Sequence, residues 1–135
     1  MIDIESTVFD RVAEALEEKF GDIYVASVPL AGAPPELPAV CLWEQSNVAL
    51  DKSQTAQSRE NHAKLMYQCE VYSNLDGEKK QQARELAAAV DEVMEGLGFI
   101  RTFGQPVPNL ADMTIYRYTT RYEGIIGTDN VLYTS

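Results

Sequence analysis

The stretch of residues 64–97 constrains the fold most, because the spacing of its apolar side chains changes partway along. Between 64 and 72 apolar residues stand at every second position, which is the period of a strand that buries one face. After the turn-forming residues 73–77 they recur at steps of three and four, which is the period of a helix with one apolar stripe. Asp76 suits the N-cap of this helix, and Gly96 marks its end. A one-sided strand followed by a one-sided helix predicts a sheet covered by helices.

The rest of the chain supplies the other elements of this fold. A first amphipathic helix is predicted at residues 4–20, with Asp3 as its N-cap and Gly21 just past its end. The β-prone runs predict six strands, at residues 22–28, 39–45, 64–72, 99–103, 112–124 and 131–133. The order is therefore α-β-β-β-α-β-β-β. Short links between strands favour an α+β fold, a mainly antiparallel sheet with two helices packed on one face.

The strand predicted at residues 39–45 begins directly after a proline-rich loop. This loop, residues 29–38, contains four prolines, which remove backbone donors and fix φ, so it is not regular structure. Between Val40 and Trp43 the strand is apolar on both faces. Two explanations remain open, namely a sheet that is covered on both sides or a contact between subunits.

The connection between the second and third strands, residues 46–62, is long and polar. Of its 17 residues only four are apolar. We predict one domain over residues 1–135, with a long polar loop or hairpin arm at 46–62. A flexible excursion needs no function, whereas an arm that orders on meeting a partner would explain the length of the segment. Its candidate contact residues are Asp51, Lys52 and Arg59.

The formal charge of −10 is concentrated on the two predicted helices. Residues 3–22 carry seven acids against two bases, and residues 76–95 carry six acids against three bases. The simplest explanation is that these acids face solvent. Because the chain has no basic stripe, we expect no specific binding of nucleic-acid phosphates.

The compartment is predicted from the N-terminal residues, the apolar runs and the cysteines. No apolar run approaches the roughly 20 residues that span a bilayer, so we expect no membrane segment. The first residues are acidic and do not resemble a signal peptide, which predicts a cytoplasmic protein. Cys41 and Cys69 fit reduced core residues in that compartment. Their strands could be neighbours, so a disulfide between them stays open as the alternative.

The residues that could support catalysis are few. The single histidine, His62, has no second histidine to complete a metal or acid–base site, and an exposed loop histidine explains it. Both cysteines lie in apolar patterns and need no catalytic explanation. Neither calcium-loop spacing nor a glycine-rich phosphate loop occurs in the sequence. We therefore predict a protein that is not an enzyme, with no catalytic residue, no cofactor and no metal.

A set of aromatic and arginine residues is the second feature, after the 46–62 segment, that suggests a function. Tyrosine rings could simply pack over a neighbouring strand. Alternatively the set forms an interface, because Tyr, Trp and Arg are enriched at the desolvated centres of protein contacts. The candidate residues are Trp43, Tyr116, Arg117, Tyr118, Arg121 and Tyr122.

Several segments in this order resemble a known family. A strand that reaches Trp43 follows the proline-rich loop, and the long polar excursion and the strand–helix unit come next. Residues 101–109 then read Arg-x-x-x-x-Pro-x-Pro-Asn and lead into Tyr-Arg-Tyr-Thr-Thr-Arg-Tyr-Glu-Gly at 116–124. The chain thereby resembles the small tail-terminator, or tail-completion, proteins of long-tailed bacteriophages and prophages. These proteins are often described as minor capsid or head–tail joining proteins.

The resemblance implies a structural role in virion assembly. Members of this family form a homo-oligomeric ring, commonly six-fold, which caps the tail tube and joins it to the head connector. The family has no catalytic residues, and its long loop typically contacts the tube or the connector, which here corresponds to residues 46–62. The implied location is the host bacterial cytoplasm during assembly and the head–tail junction of the virion afterwards.

Two further interpretations concern the acidic helices. In a ring, acidic helices would be compatible with a channel wall that repels DNA, which then only passes through. The alternative function is a small acidic cytoplasmic binding module, of the immunity or adaptor type, whose acidic face meets a basic partner.

Overall fold

The computed structural model describes residues 2–30, 34–50, 62–108, 112–127 and 132–133, the last pair by backbone only. Within these residues two helices and six strands follow in the predicted order, which confirms the α+β class. Their bounds are α1 Glu5–Phe20, β1 Tyr24–Ala26, β2 Ala39–Ala49, β3 His62–Ser73, α2 Lys79–Gly96, β4 Ile100–Val107, β5 Tyr116–Gly127 and β6 Leu132–Tyr133.

The strands form one mixed sheet in the order β1-β2-β3-β5-β4, and β6 pairs with the far end of β5. Only β1 and β2 are parallel among the described pairs, so the sheet is mainly antiparallel as predicted. β3 is the central strand, and it pairs with β5 along its whole length, from His62 opposite Gly127 to Ser73 opposite Tyr116. This long pairing fixes which side chains of β3 and β5 share a face.

The main core lies between one face of the sheet and both helices. Alternate residues of β3 point into it, including Leu65, Tyr67 and Cys69, and the apolar stripes of α1 and α2 meet them. Each fully buried leucine or valine contributes about 1.5–3 kcal/mol to folding. The ring of Tyr67 meets that of Phe99 edge-on, with centroids 5.2 Å apart. The predicted packing of two helices on one face is therefore confirmed. The helix side chains buried in this core are Val8, Val12, Leu16, Ala83, Leu86, Ala87, Ala89, Val90 and Met94.

A smaller apolar cluster lies on the other face of the sheet. Cys41 and Tyr72 are buried there, and Leu30 and Leu37, from the two ends of the proline-rich loop, pack against them. The start of β2 is therefore covered on both sides, which explains why its sequence is apolar on both faces. Cys69 belongs to the helix-side core, so the two cysteines are on opposite faces of the sheet, and both are free. The disulfide alternative is wrong.

α2 begins later than predicted. Asp76 does not cap it, because the helix starts at Lys79 and Glu78 occupies the N-cap position without a capping side-chain hydrogen bond. Gly77 precedes that position with a φ of 76°, in the left-handed region where glycine is favoured. The chain therefore completes a turn at Gly77 before the helix can begin.

The start of α1 differs in a similar way. Ile4 holds the N-cap position, and no side chain makes a capping hydrogen bond from there. The Asp3 carboxylate accepts a hydrogen bond from the backbone N–H of Glu5 at 3.2 Å. Asp3 therefore bonds to the first turn from the position before the N-cap and not, as predicted, from the N-cap itself.

β2 extends into the segment predicted as a polar loop. Residues 46–49 continue the strand and pair with residues 63–66 of β3, after a bulge at Gln45. Polar side chains are tolerated there because β3 supplies the backbone partners, and Asn47 in addition donates to the carbonyl of Ile2 at 2.7 Å. The remaining part of the predicted arm, residues 51–61, lies outside the described residues.

The last long strands also differ from the prediction. β4 continues past residue 103 through Pro106 to Val107, and as an edge strand it tolerates a proline. β5 begins at Tyr116 rather than at residue 112. Before it, the Asp112 carboxylate accepts hydrogen bonds from the backbone N–H of Thr114 at 2.9 Å and from its hydroxyl at 2.6 Å, which holds a turn.

Candidate interaction surface

Among the described residues, the two cysteines are the side chains to consider first as nucleophiles. Burial raises the pKa of Cys41 to about 12, with the Glu70 charge as a second cause, and burial also raises the pKa of Cys69. Neither thiol ionises near neutral pH, so neither is an activated nucleophile. Among the described residues no group of three or more His, Cys, Asp or Glu side chains could hold a metal ion.

The side of the sheet away from the helices carries the other notable group of side chains. We call this side the far face. Both helices of the described chain pack on the opposite side, so strand side chains on the far face are covered by loops or exposed. The polar and aromatic side chains on or near this face include those of Trp43, Gln45, Gln68, Glu70, Phe103, Arg117, Thr119 and Arg121.

Glu70 is the centre of a buried polar cluster on this face. It is 2% exposed, and its carboxylate is ion-paired with the guanidinium of Arg117. The hydroxyl of Thr119 donates to the same carboxylate oxygen at 3.3 Å, and that of Tyr72 donates to the other at 3.1 Å. The register explains the cluster, since Thr119 pairs with Glu70 and Arg117 pairs with Tyr72. Three donors replace the water that the buried carboxylate has lost.

A second row of contacts crosses four strands. The side-chain oxygen of Gln68 accepts hydrogen bonds from Gln45 Nε2 and from Arg121 Nε, each at 3.1 Å. The guanidinium of Arg121 also lies over the ring of Phe103, 4.8 Å from its centroid. Gln68, Phe103 and Arg121 are half-buried. The row thus holds an arginine and an aromatic ring in fixed positions on an incompletely covered surface.

The structure divides the predicted aromatic and arginine set between the two sides of the sheet. Trp43, Arg117 and Arg121 are on the far face. The three tyrosines of β5 are on the helix side, where Tyr116 and Tyr118 are partly buried against the core and Tyr122 is 1% exposed. Tyr122 is therefore core and cannot reach a partner in this fold. Strand alternation is the physical reason, because neighbouring residues of β5 point to opposite faces.

The predicted arm contributes only its base to the described surface. One residue past the end of β2, the backbone N–H of Leu50 donates to the carbonyl of His62, the first residue of β3, at 2.9 Å. Val48, near the end of β2, is 55% exposed. The candidate contact residues Asp51, Lys52 and Arg59 lie outside the described residues.

Sequence reasoning did not identify Gln45, Gln68, Glu70 and Phe103 as part of this surface. One signal was available, since Glu70 is the only acid among residues 64–72 and stands between the apolar Cys69 and Val71. An acid at such a position indicates a buried carboxylate that needs a partner. Its partner could not be read from the chain, because Arg117 is 47 residues away.

No family model matches the chain, and no curated protein matches it. In the described part of the chain, neither helix is long and apolar enough to cross a membrane.

Proposed function

We propose that this protein is a structural component of a phage or prophage head–tail junction, which caps the tail tube as an oligomeric ring and catalyses no reaction. The observation that supports this most is the far face. Its arginines are oriented by ion pairs, hydrogen bonds and ring contacts, and no helix covers them in the described chain.

The composition of the far face is typical of a protein interface. Trp43, Phe103, Arg117 and Arg121 are of the types enriched at the centres of protein contacts. All four are half-buried, so a partner could complete their burial at a small cost in side-chain entropy because they are already held in place. A substrate pocket would instead need convergent groups in an enclosed concave site.

The long β2–β3 hairpin is a second support. Its strands stay paired up to Ala49 and Ala63, and the backbone hydrogen bond from Leu50 to His62 continues the pairing by one more residue. In the family that this chain resembles, the corresponding segment contacts the tube or the connector. We therefore assign the hairpin end and the far face to contacts with other proteins of the junction.

The proposal is tested by deleting the gene from the phage or prophage that encodes it. We expect filled heads and separate tails to accumulate in the lysate, and the wild-type gene supplied in trans to restore joined particles. Arg121→Glu should fail to restore them, while Lys80→Glu, an exposed substitution of equal charge on α2, should succeed. Normal particles without the gene would contradict the proposal.

A second function, a small protein-binding module, is favoured by the acidic outer surface of α1. Asp10, Glu14, Glu17 and Glu18 are all exposed there and would attract a basic partner. This function predicts a one-to-one complex with a basic protein and no self-association. It also predicts neighbouring genes other than those for portal, capsid and tail tube.

A further inference from the structure

A polar cleft of about 370 Å³ lies where α2 passes over the edge of the sheet at β4 and β5. α2 contributes Arg84 and Asp91 to its walls, and the strands contribute Arg101, Tyr118 and Thr120. This cleft is on the helix side of the sheet and is distinct from the far face.

The cleft is locally positive in an acidic protein. Arg101 Nε lies 3.2 Å from Asp91 Oδ1, so one guanidinium is matched by one carboxylate. Arg84 has no carboxylate within ion-pair distance among the described residues. The two arginines and Asp91 sum to a charge of +1, while the whole chain carries −10. A single negative group from outside would balance the site.

Small residues keep the cleft open to such a group. Ala87 and Ala88 contribute the helix surface that lines it. At Gly104 an added Cβ would lie 2.9 Å from Arg101 Nη1 and 3.3 Å from the hydroxyl oxygen of Tyr118, so any side chain there would crowd both groups. Guanidinium N–H groups together with hydroxyls are the donors that a carboxylate prefers.

Carboxylates are presented at the opposite end of the molecule. α1 packs near β2, whereas α2 packs on β3, β5 and β4, so the sheet order places α1 and the cleft on opposite sides. The two bases of α1, Arg11 and Lys19, line a groove against α2. The acids are therefore left on the outer surface of α1, all of them exposed: Asp10, Glu14, Glu17 and Glu18.

We propose that the cleft receives a carboxylate from the outer surface of α1 of a second copy of this chain. Such a contact joins two different surfaces, so each copy can bind one neighbour through its cleft and another through its α1. Contacts of this kind close into rings when the rotation between copies allows it. The proposal rests on the proposed ring function and names the contact between its subunits, leaving the far face for the tube or connector.

The contact is tested by reversing the charge on each of its two sides in a separate variant and then mixing the two variants. The cleft variant is Arg84→Glu, with Lys80→Glu as its control. The α1 variant carries Glu14→Lys, Glu17→Lys and Glu18→Lys, and its control carries the same change at three other exposed acids, Asp22, Glu36 and Asp76. Sedimentation equilibrium gives the dissociation constant of each sample, and circular dichroism verifies that each is folded.

We expect each reversed variant to self-associate at least about tenfold more weakly than the wild type, because like charges then face each other. An equimolar mixture of the two should regain assembly, since a reversed cleft then meets a reversed α1. The controls should behave as the wild type. If the wild type and both reversed variants formed rings equally well, the contact between the cleft and α1 would be overturned, while the ring function would stand. A wild type that stays monomeric would contradict the ring function as well.

Discussion

At the scale of single residues, the clearest feature is a buried carboxylate whose hydrogen-bond donors are supplied by neighbouring strand residues. Glu70 is almost completely buried, yet its two carboxylate oxygens accept hydrogen bonds from Arg117, Thr119 and Tyr72. An unpaired buried charge is costly, whereas a fully bonded one orders the side chains around it. The cluster therefore fixes how β3 and β5 present the far face.

The first prediction concerns removal of the cation in this cluster. Arg117→Met should lower the free energy of unfolding by about 2–3 kcal/mol, because Glu70 would stay buried without its countercharge. The matched control is Lys64→Met, which removes an exposed pair with Glu123 and should cost less than about 1 kcal/mol. Urea denaturation of both variants measures the difference. An Arg117 variant as stable as the control would show that the pair does not hold the strands.

The second prediction concerns pH. Burial raises the pKa of Glu44 above its ordinary value of 4.5, with the nearby Glu5 charge adding to the rise and the Tyr67 hydrogen bond opposing it. The folded protein thus holds this proton more tightly than the unfolded chain does, so stability falls as pH rises from 4.5 through the raised pKa. Glu44→Gln removes this loss and should be more stable than the wild type at neutral pH.

The measurement for Glu44 is the free energy of unfolding between about pH 4 and about pH 7. The advantage of Glu44→Gln should shrink as the pH falls, since the wild-type carboxyl then gains its proton. Glu36→Gln, at an exposed site, should leave the free energy nearly unchanged at every pH. If Glu44→Gln were more stable than the wild type by the same free energy at both ends of this pH range, the raised pKa of Glu44 would be disproved.

At the scale of elements, both long outer strands have features that discourage the addition of another strand. On β2, beyond the short β1, the Glu5 carboxylate accepts the backbone N–H of Glu44 at 2.7 Å. β4 has an irregular register between Arg101 and Phe103 and contains Pro106. Bulges, prolines and edge-binding charges are common protections against edge pairing. Assembly through side-chain surfaces therefore suits this sheet better than strand addition.

The third prediction concerns the β2–β3 connection. Deleting about eight residues between Leu50 and His62 should change the free energy of unfolding by less than about 1 kcal/mol, because closure entropy varies slowly with loop length. The deletion is placed to keep the backbone hydrogen bond from Leu50 to His62. Chemical denaturation tests this, and particle assays in the phage test whether joining fails. Unfolding of the deletion variant would mean that the segment belongs to the core.

Local periodicity was enough to predict both helices, the central strand and their order. Those features depend on which face each segment buries, and residues such as Leu65 and Leu86 reveal that face within a few positions. The contact between Glu70 and Arg117 depends on the register between two distant strands, which no local pattern contains. For the same reason residues 46–49 were predicted as part of a polar loop, although pairing with β3 makes them strand.

At the scale of the whole molecule, charge and apolar surface are divided among different sides. The acids of α1 lie on one side, the positive cleft beside α2 lies on the other, and the far face carries its ordered arginines and aromatic rings. The sequence revealed the acidic helices but not the cleft, because Arg84 and Arg101 are brought together only by the packing of α2 on the sheet. Such a division of surfaces suits a protein that contacts several neighbours at once.

The central claim, that the chain is a ring-forming structural protein, is tested most directly by sedimentation velocity over a wide concentration range, with electron microscopy of the fastest species. We expect sedimentation to shift with concentration to one closed oligomer, seen as a ring with a central opening. A protein that sediments as a monomer at hundreds of micromolar, with no rings on the grid, would contradict it.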